Sequence, residues 1–313
     1  MELRPLAFGE IFDRAVTLYI RNFVPFAAIV GVMVVPLGIL QYFADLNAQP
    51  QLDAAFRIFT HPQTARTEPM PTMFDSPTSI AVLVLLALVA YIIWPFALNA
   101  VAVGVSLLYR NMRVDFRTCY NAVFRRWPQI VGMIFIALFV FLGWYVALFA
   151  VLMVVGGLVA MLAVIASGFA IFLGITIGIV SILAFLLGFA SLMIAVTFAM
   201  YAVVIEERPA IDSLALGFSR VFNRREFWRA VLFSLAAGAV VFAGSAMLGF
   251  VSIMAALAHL PLLQAVIDTV SRAVITPFAA VLLAIYYFDV RIRHEALDLE
   301  TSLERLVATQ SAR

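Results

Sequence analysis

The chain is a succession of long apolar segments separated by short segments that carry most of its charged residues. Five segments contain no Asp, Glu, Lys or Arg, and they cover residues 22–44, 76–109, 127–205, 230–267 and 273–288. A helix needs about 20 mostly apolar residues to cross the hydrocarbon core of a bilayer. The first two segments therefore predict one spanning helix each. The fourth predicts a helix that ends before His259 and Pro261, and a last helix is predicted to end near Phe288.

The segment 127–205 is too long for one helix, and the arginines on both sides of it decide how often it crosses. The positive-inside rule places arginine-rich connecting segments in the cytoplasm. It assigns 17 arginines to the cytoplasmic side and 3 to the other side, with both ends of the segment cytoplasmic. Two crossings then fit its length, which gives about six transmembrane helices in all. The residues left over at 154–178 predict a short interfacial or re-entrant helix, with two long tilted spans as the alternative.

Amphipathic segments precede the first, third and fifth predicted spans. Their apolar residues recur at helical spacing, and the stripes begin at Phe8, Phe116 and Ile211, about 100 residues apart. Such helices lie in the headgroup plane, where tryptophan and arginine anchor the turn into the membrane. The sequence thus predicts three parallel copies of an interfacial elbow helix followed by a transmembrane hairpin. The copies are predicted at residues 1–109, 110–205 and 206–290, with a cytoplasmic tail helix at 291–313.

Composition narrows the class of protein. Hydrophobic residues make up 65% of the 313 residues and charged residues 12%, against roughly 45–50% and 25% in soluble domains. An ordinary soluble enzyme and a disordered chain are therefore excluded, and the predicted fold class is all-α, a polytopic integral membrane helix bundle. A net charge of +2 is too small to indicate a nucleic-acid partner. No signal peptide is recognisable, and the arginine distribution predicts a multi-pass membrane protein with both termini cytoplasmic.

Few groups in the sequence are suited to catalysis or metal binding. Cys119 is the only cysteine, which excludes an intramolecular disulfide and a thiolate metal cluster. The second to fifth predicted spans contain no ionisable residue, and the familiar catalytic, phosphate-binding and metal-binding motifs are missing. We therefore expect no enzymatic activity, no catalytic residue, no cofactor and no metal.

Two groups of charged residues border the last predicted span. Asp268 and Arg272 lie one helical turn apart before it, where an ion pair on an interfacial helix is expected and a buried functional pair is the alternative. After the span, the same spacing forms the pairs Asp289 with Arg293 and Arg291 with Glu295. The pattern predicts a helix that leaves the membrane with a solvated, salt-bridged face, or with a surface that docks on a partner or on the elbow helices.

Three short patterns in the chain resemble those of a known family. They are Leu3-Arg4-Pro5-Leu6 with Gly9-Glu10-Ile11-Phe12-Asp13-Arg14-Ala15, then Ile205-Glu206 through Ser219-Arg220 to Phe227-Trp228, and Tyr287 to Leu299 with Arg291-Ile292-Arg293. Through them essentially the whole chain resembles bacterial proteins of the glycerophosphoryl diester phosphodiesterase membrane domain family. The resemblance implies a polytopic inner-membrane protein. The bifunctional members carry their hydrolase on a separate soluble barrel, which this chain lacks together with the His-Arg-Gly motif, so no hydrolase activity is implied.

These features predict a non-enzymatic membrane scaffold or accessory subunit that contacts anionic lipid headgroups and a protein partner at the cytoplasmic face. A transporter or channel-like protein for a lipid or another amphiphile is the alternative. The arginines of the three elbow helices are expected to face water or phosphate headgroups. The residues expected to contact headgroups or a docking partner are Arg14, Arg117, Arg220, Trp127, Trp228, Asp289, Arg291, Arg293 and Glu295.

Overall fold

The protein is described by a computed structural model that covers residues 5–60, 77–163, 167–224 and 226–295. In these ranges every regular element is an α-helix and no strand occurs, which confirms the all-α fold class. The helices of the described ranges are α1 Phe8–Arg21, α2 Phe23–Thr60, α3 Pro77–Tyr109, α4 Phe116–Arg125, α5 Trp127–Ala163, α6 Ser167–Ile205, α7 Ala210–Val221, α8 Phe227–Leu257 and α9 Pro261–Glu295.

Six helices of the described part are long and apolar enough to cross a membrane, by length and composition. The candidate spans are Phe23–Ala44, Ile80–Tyr109, Trp127–Met161, Phe172–Ile205, Phe227–Leu257 and Pro261–Arg293. Their number agrees with the six spans that the apolar pattern and the arginine distribution predicted. The chain therefore has the features of a multi-pass membrane protein.

The apolar segment 127–205 forms two long helices. α5 has 37 residues and α6 has 39, so each is about 55 Å long. The preferred prediction of a re-entrant or interfacial helix at 154–178 is wrong, because α5 continues to Ala163 and α6 is helical from Ser167 onward. No proline or charged residue interrupts the segment after Pro128, and the alternative of two long helices is the one that the structure adopts.

The last helix begins earlier than predicted. α9 starts at Pro261, directly after a turn in which His259 adopts a φ of 55°, and it continues to Glu295. Proline suits the first position of a helix, where its missing N–H would have no partner. Asp268 and Arg272 consequently lie inside a candidate span, and no ion pair joins them in the described structure. The prediction of an ion pair on a separate interfacial helix was wrong.

The described residues divide into two compact units. The first contains Leu6–Val123 and Ala239–Tyr286, and the second contains Phe124–Gly238 and the residues from Tyr287 onward. Along the chain, the short helices α1, α4 and α7 each precede two long helices, which is the order that the repeat requires. The threefold repeat with its predicted boundaries, and the position of the short helices in the membrane plane, stay predictions. Of the tail at 291–313, residues 296–313 lie outside the described residues.

In the first unit the short helices dock through tyrosine hydroxyls. Tyr19 of α1 donates to the Val274 carbonyl and Tyr120 of α4 donates to the Ile29 carbonyl, each at 2.6 Å. Both side chains are buried, and burial raises the pKa of each phenol to about 12. A buried tyrosine needs a partner for its hydroxyl, and a helix carbonyl provides one here.

The long helices of the second unit are buried at one end only. The buried residues of α5 lie between Ile130 and Ala137, and those of α6 begin at Ser191. From Leu138 to Met161 the described side chains of α5 are apolar and at least partly exposed. That stretch is about 36 Å of helix, enough to cross the roughly 30 Å core of a bilayer on its own.

Cys119 of α4 is fully buried, and we expect it to resist thiol reagents in the folded protein. Burial, together with nearby Asp115, raises the pKa of its thiol to about 12, and only the thiolate reacts. Because the thiol has a higher pKa in the folded than in the unfolded protein, its contribution to the free energy of unfolding is complete below about pH 8.5. This contribution decreases as the pH rises from there toward the folded-state pKa. Maleimide at pH 8 should modify Cys119 only after denaturation, as measured by intact mass.

A matched control is a Cys119→Ala variant that also carries Thr118→Cys, because Thr118 is exposed on the same helix. This variant should react rapidly in the native state. Rapid modification of native Cys119 would contradict the buried position. Burial alone is enough to protect Cys119 from the reagent. Its protection therefore reports how the protein packs and does not show on which side of the membrane Cys119 lies.

Candidate functional site

An ion cluster occupies the second unit, where α6 ends, α7 packs, α8 begins and α9 ends. α6 stops at Ile205 because Glu207 adopts a φ of 55°, in the left-handed region that ends helices, and because Pro209 follows. This turn carries Glu206 to the cluster. We define the ion cluster as Glu206, Arg208, Arg220, Glu226, Arg229, Tyr287, Asp289, Arg291 and Arg293.

Glu206 is the inner carboxylate of the ion cluster, with a side chain that is 4% exposed. Its Oε1 accepts a hydrogen bond from Nη1 of Arg220 at 2.8 Å, and Tyr287 donates its hydroxyl to the same oxygen. Nε of Arg208 lies 3.2 Å from Oε2, and Nε of Arg291 lies 3.6 Å from Oε1. One buried carboxylate is thus held by three guanidinium groups and a phenol.

Arg220 is the most deeply buried cation of the ion cluster, at 3% exposure. Its guanidinium carbon lies 5.2 Å from the centroid of the Tyr287 ring, within cation–π distance. The Tyr287 ring in turn makes edge contacts with Phe198 and Tyr201 of α6, at 5.2 and 5.7 Å between centroids. Aromatic packing therefore surrounds the Glu206–Arg220 pair and excludes water from it.

Asp289 is the second inner carboxylate, and its side chain is fully buried. Nη2 of Arg229, at the start of α8, lies 2.6 Å from its Oδ2, and Nε of Arg293 donates to the same oxygen at 3.1 Å. Nη1 of Arg229 lies 3.5 Å from Oε2 of Glu226. These pairs fix the end of α9 against the start of α8.

The ion cluster has a basic rim. Among its described members there are five arginines and three carboxylates. Two of these arginines form the basic rim, since the Arg208 side chain is 49% exposed and that of Arg293 is 33% exposed. Trp228, next to Arg229 in the chain, is 62% exposed. An exposed tryptophan beside arginines is typical of a membrane interface.

A peripheral pair lies beside the ion cluster. Arg126, which follows α4, donates to the carboxylate of Glu207, whose side chain is 59% exposed. This hydrogen bond, and then the arginine charge, lower the pKa of the Glu207 carboxyl. Glu206 and Glu207 are thus adjacent in sequence, but one is buried and the other faces solvent.

The structure brings together four of the residues predicted to form the site, which are Arg220, Asp289, Arg291 and Arg293. The predicted pair of Asp289 with Arg293 is confirmed. The expectation that Arg220 faces water or headgroups is wrong, because it pairs with Glu206 inside the unit. The interpretation of this helix end as a solvated face is wrong for Asp289, because its side chain is fully buried and pairs with Arg229 and Arg293. The Glu295 side chain lies outside the described residues.

The remaining predicted residues do not join the ion cluster. Arg14 of α1 is half-buried and Arg117 of α4 is exposed, and both belong to the first unit. Trp127 and Trp228 are 56% and 62% exposed, and their contact with headgroups stays a prediction.

The predicted site residues did not include three central members of the ion cluster, which are Glu206, Arg229 and Tyr287. The contacts of Glu206 with Arg220 and Tyr287, and of Arg229 with Asp289, join residues that local spacing does not relate. One signal was available for Glu206, since a glutamate that directly ends a long uncharged segment must be hydrated or paired.

The ion cluster is arranged to hold helices together and to present charge. Its carboxylate oxygens face guanidinium groups, and the described residues contain no group of three or more His, Cys, Asp or Glu side chains placed to hold a metal ion. Removing one partner of such a buried pair costs more than the pair contributes, so the ion cluster is sensitive to substitution.

Comparison of the chain with protein-family models, with curated proteins and with solved structures gave no match.

Proposed function

We propose that this chain is a non-enzymatic scaffold or accessory subunit of the bacterial inner membrane, with both termini in the cytoplasm. Its basic cytoplasmic face binds anionic lipid headgroups and a partner protein. The single observation that carries the proposal is the basic rim of the ion cluster, where Arg208 and Arg293 are held on buried carboxylates with side chains that are 49% and 33% exposed. Arginines fixed at a surface in this way attract anions.

The position of the ion cluster relative to the bilayer supports this proposal. The exposed apolar stretch 138–161 fits the hydrocarbon core, which leaves the buried ends of α5 and α6 at one membrane surface. The arginine distribution of the sequence favours the cytoplasm for that surface. Each arginine near an anionic leaflet contributes roughly 1 kcal/mol of attraction.

The short helices extend the same basic face in our proposal. α1, α4 and α7 are amphipathic, and they keep large apolar side chains exposed, such as Ile20, Phe124 and Ile211 at 67%, 52% and 73%. In the headgroup plane these side chains would enter the lipid while neighbouring arginines meet phosphates. The three short-helix-plus-hairpin units would then superpose by rotation about the membrane normal. The resemblance to the phosphodiesterase membrane domain family supports the inner-membrane location and implies no hydrolase.

Tryptophan quenching by brominated lipids tests the proposed lipid contact. In a variant that keeps only Trp228, with Trp94, Trp127 and Trp144 changed to Phe, we expect brominated phosphatidylglycerol to quench more strongly than brominated phosphatidylcholine with the same chains. Added salt should reduce the difference. Changing Arg208 and Arg293 together to Gln should abolish it, whereas changing both to Lys should retain it. Equal quenching by the two lipids would overturn the proposed headgroup binding.

An amphiphile transporter is the second candidate function. The observation that favours it is an apolar groove between α2 and α9 in the first unit, with Asp268 and Arg272 nearby on α9 inside a candidate span. Ionisable residues within spans often mark substrate paths. Reconstituted vesicles that contain a fluorescent phospholipid separate the two functions, because a transporter accelerates its movement between leaflets and a scaffold does not.

A further inference from the structure

Pro277 interrupts the hydrogen bonding of α9. It lies inside the helix, and it has no N–H to donate to the carbonyl of Ala273, four residues earlier. The proline ring also pushes apart the two helical turns beside it, and such a turn is the usual place for a helix to bend. The turn from Ala273 to Pro277 is therefore weaker than an ordinary helical turn, and it provides α9 with a hinge.

Tyr19 of α1 contacts α9 on both sides of this hinge. Its hydroxyl donates to the Val274 carbonyl at 2.6 Å, and its ring packs on Phe278 with the two centroids 5.8 Å apart. Val274 precedes Pro277 by three residues, and Phe278 follows it directly. Tyr19 is only 8% exposed, so water competes little for its hydrogen bond. One side chain of another helix thus holds α9 before and after Pro277.

α1 is a separate helix that packs through one face. The buried residues of α1 are Ile11, Ala15, Leu18 and Tyr19. Val16 and Ile20 lie on another face and are 43% and 67% exposed. The single residue Asn22 joins α1 to α2, and its backbone φ of −124° and ψ of 32° are not helical. Movement of α1 away from α9 therefore needs a change at this joint and leaves the helical turns of α2 intact.

We propose that α1 is a strap that closes a proline hinge in α9. While Tyr19 is in place, its hydroxyl gives the Val274 carbonyl a donor and its ring holds Phe278. When α1 moves away, both contacts are lost together and α9 opens at Pro277. The coupling is reciprocal, so a change in the bend of α9 also releases α1. This conformational device goes beyond the proposed function, because it needs neither a bound lipid nor the ion cluster.

Amide hydrogen exchange of the full-length protein in detergent, followed by mass spectrometry, tests the strap. Tyr19→Phe keeps the ring and removes the hydroxyl. We expect the amides of residues 278–281 to exchange about five- to tenfold faster in this variant, because local opening is easier by one hydrogen bond. Pro277→Ala restores the missing N–H, and in that background Tyr19→Phe should change the exchange rate less than about twofold. Unchanged exchange in Tyr19→Phe, or the same acceleration with and without Pro277, would overturn the proposal.

Tyr120 provides the matched control, because its hydroxyl also donates to a helix carbonyl at 2.6 Å. That carbonyl belongs to Ile29, and the residue four positions later is Met33, which has an N–H to donate. Tyr120→Phe should therefore change the exchange of residues 30–33 less than about twofold. Equal acceleration by the two tyrosine variants would show that any docked tyrosine stabilises its helix in this way, and it would contradict a hinge at Pro277.

Thiol labelling measures the release of α1 itself. Leu18→Cys, in a Cys119→Ala background, places a thiol on the buried face of α1, where Leu18 is 2% exposed. Adding Tyr19→Phe should accelerate its reaction with maleimide about five- to tenfold, whereas the exposed thiol of Val16→Cys should react equally fast with and without Tyr19→Phe. An unchanged rate for Leu18→Cys would contradict the strap, and this measurement decides the matter if Pro277→Ala does not fold. The ion cluster belongs to the other unit, so these tests and the quenching test fail independently.

Discussion

Replacing Glu206 with Gln is expected to lower the free energy of unfolding by about 3–5 kcal/mol. The amide keeps the shape of the side chain and an acceptor for Tyr287, but it leaves the buried Arg220 without its carboxylate. Arg208 and Arg291 lose the same partner, so three like charges remain close together. The measurement is unfolding of the detergent-solubilised protein by sodium dodecyl sulfate, followed by tryptophan fluorescence.

Glu207→Gln is the matched control, because it makes the same chemical change at the next residue. Glu207 pairs with Arg126 at the surface, and its loss should leave the unfolding midpoint almost unchanged. If the two variants lost similar stability, burial of the Glu206 pair would not be the cause.

Replacing Gly217 with Ala is expected to lower the free energy of unfolding by about 1–3 kcal/mol. Gly217 lies where α7 packs on α6, and an added Cβ would collide with the Ala195 carbonyl oxygen and lie 2.9 Å from the Ala199 nitrogen. Both of these atoms belong to the backbone of α6, so relief requires α7 to move away. We therefore expect limited proteolysis to cleave the segment between α6 and α8 faster in the Gly217→Ala variant than in the unmodified protein.

Gly132→Ala is the control for helix propensity. A Cβ at Gly132 of α5 meets no atom within 4 Å, so the change should be neutral or stabilising by up to roughly 1 kcal/mol. Equal destabilisation by the two substitutions would argue against a close approach of α7 and α6.

The sequence was sufficient to predict the elements that depend on local pattern. Uncharged segments of 16 or more residues predicted the long helices, and the apolar stripes predicted α1, α4 and α7 at nearly their observed positions. The pair of Asp289 with Arg293 was predictable because both residues lie on one helix, four positions apart.

Features that depend on tertiary packing could not be predicted in the same way. Nothing local distinguishes a long helix from a re-entrant one at 154–178, since glycine permits both. Arg220 has the sequence position of a water-facing arginine, and only the docking of α7 on α6 buries it. The pairing of Arg229 with Asp289 joins residues far apart in the chain, and no helical spacing reports such a contact.

The central claim is that the buried pair of Glu206 with Arg220 holds α7 in place and fixes the basic rim. A double-mutant cycle with Glu206→Gln, Arg220→Met and their combination tests this claim most directly. We predict that the combined variant is more stable than the sum of the single losses implies, by about 1–3 kcal/mol, because Glu206→Gln leaves the buried Arg220 without its carboxylate and the combination removes that charge. Losses that add to within about 0.5 kcal/mol would contradict the claim.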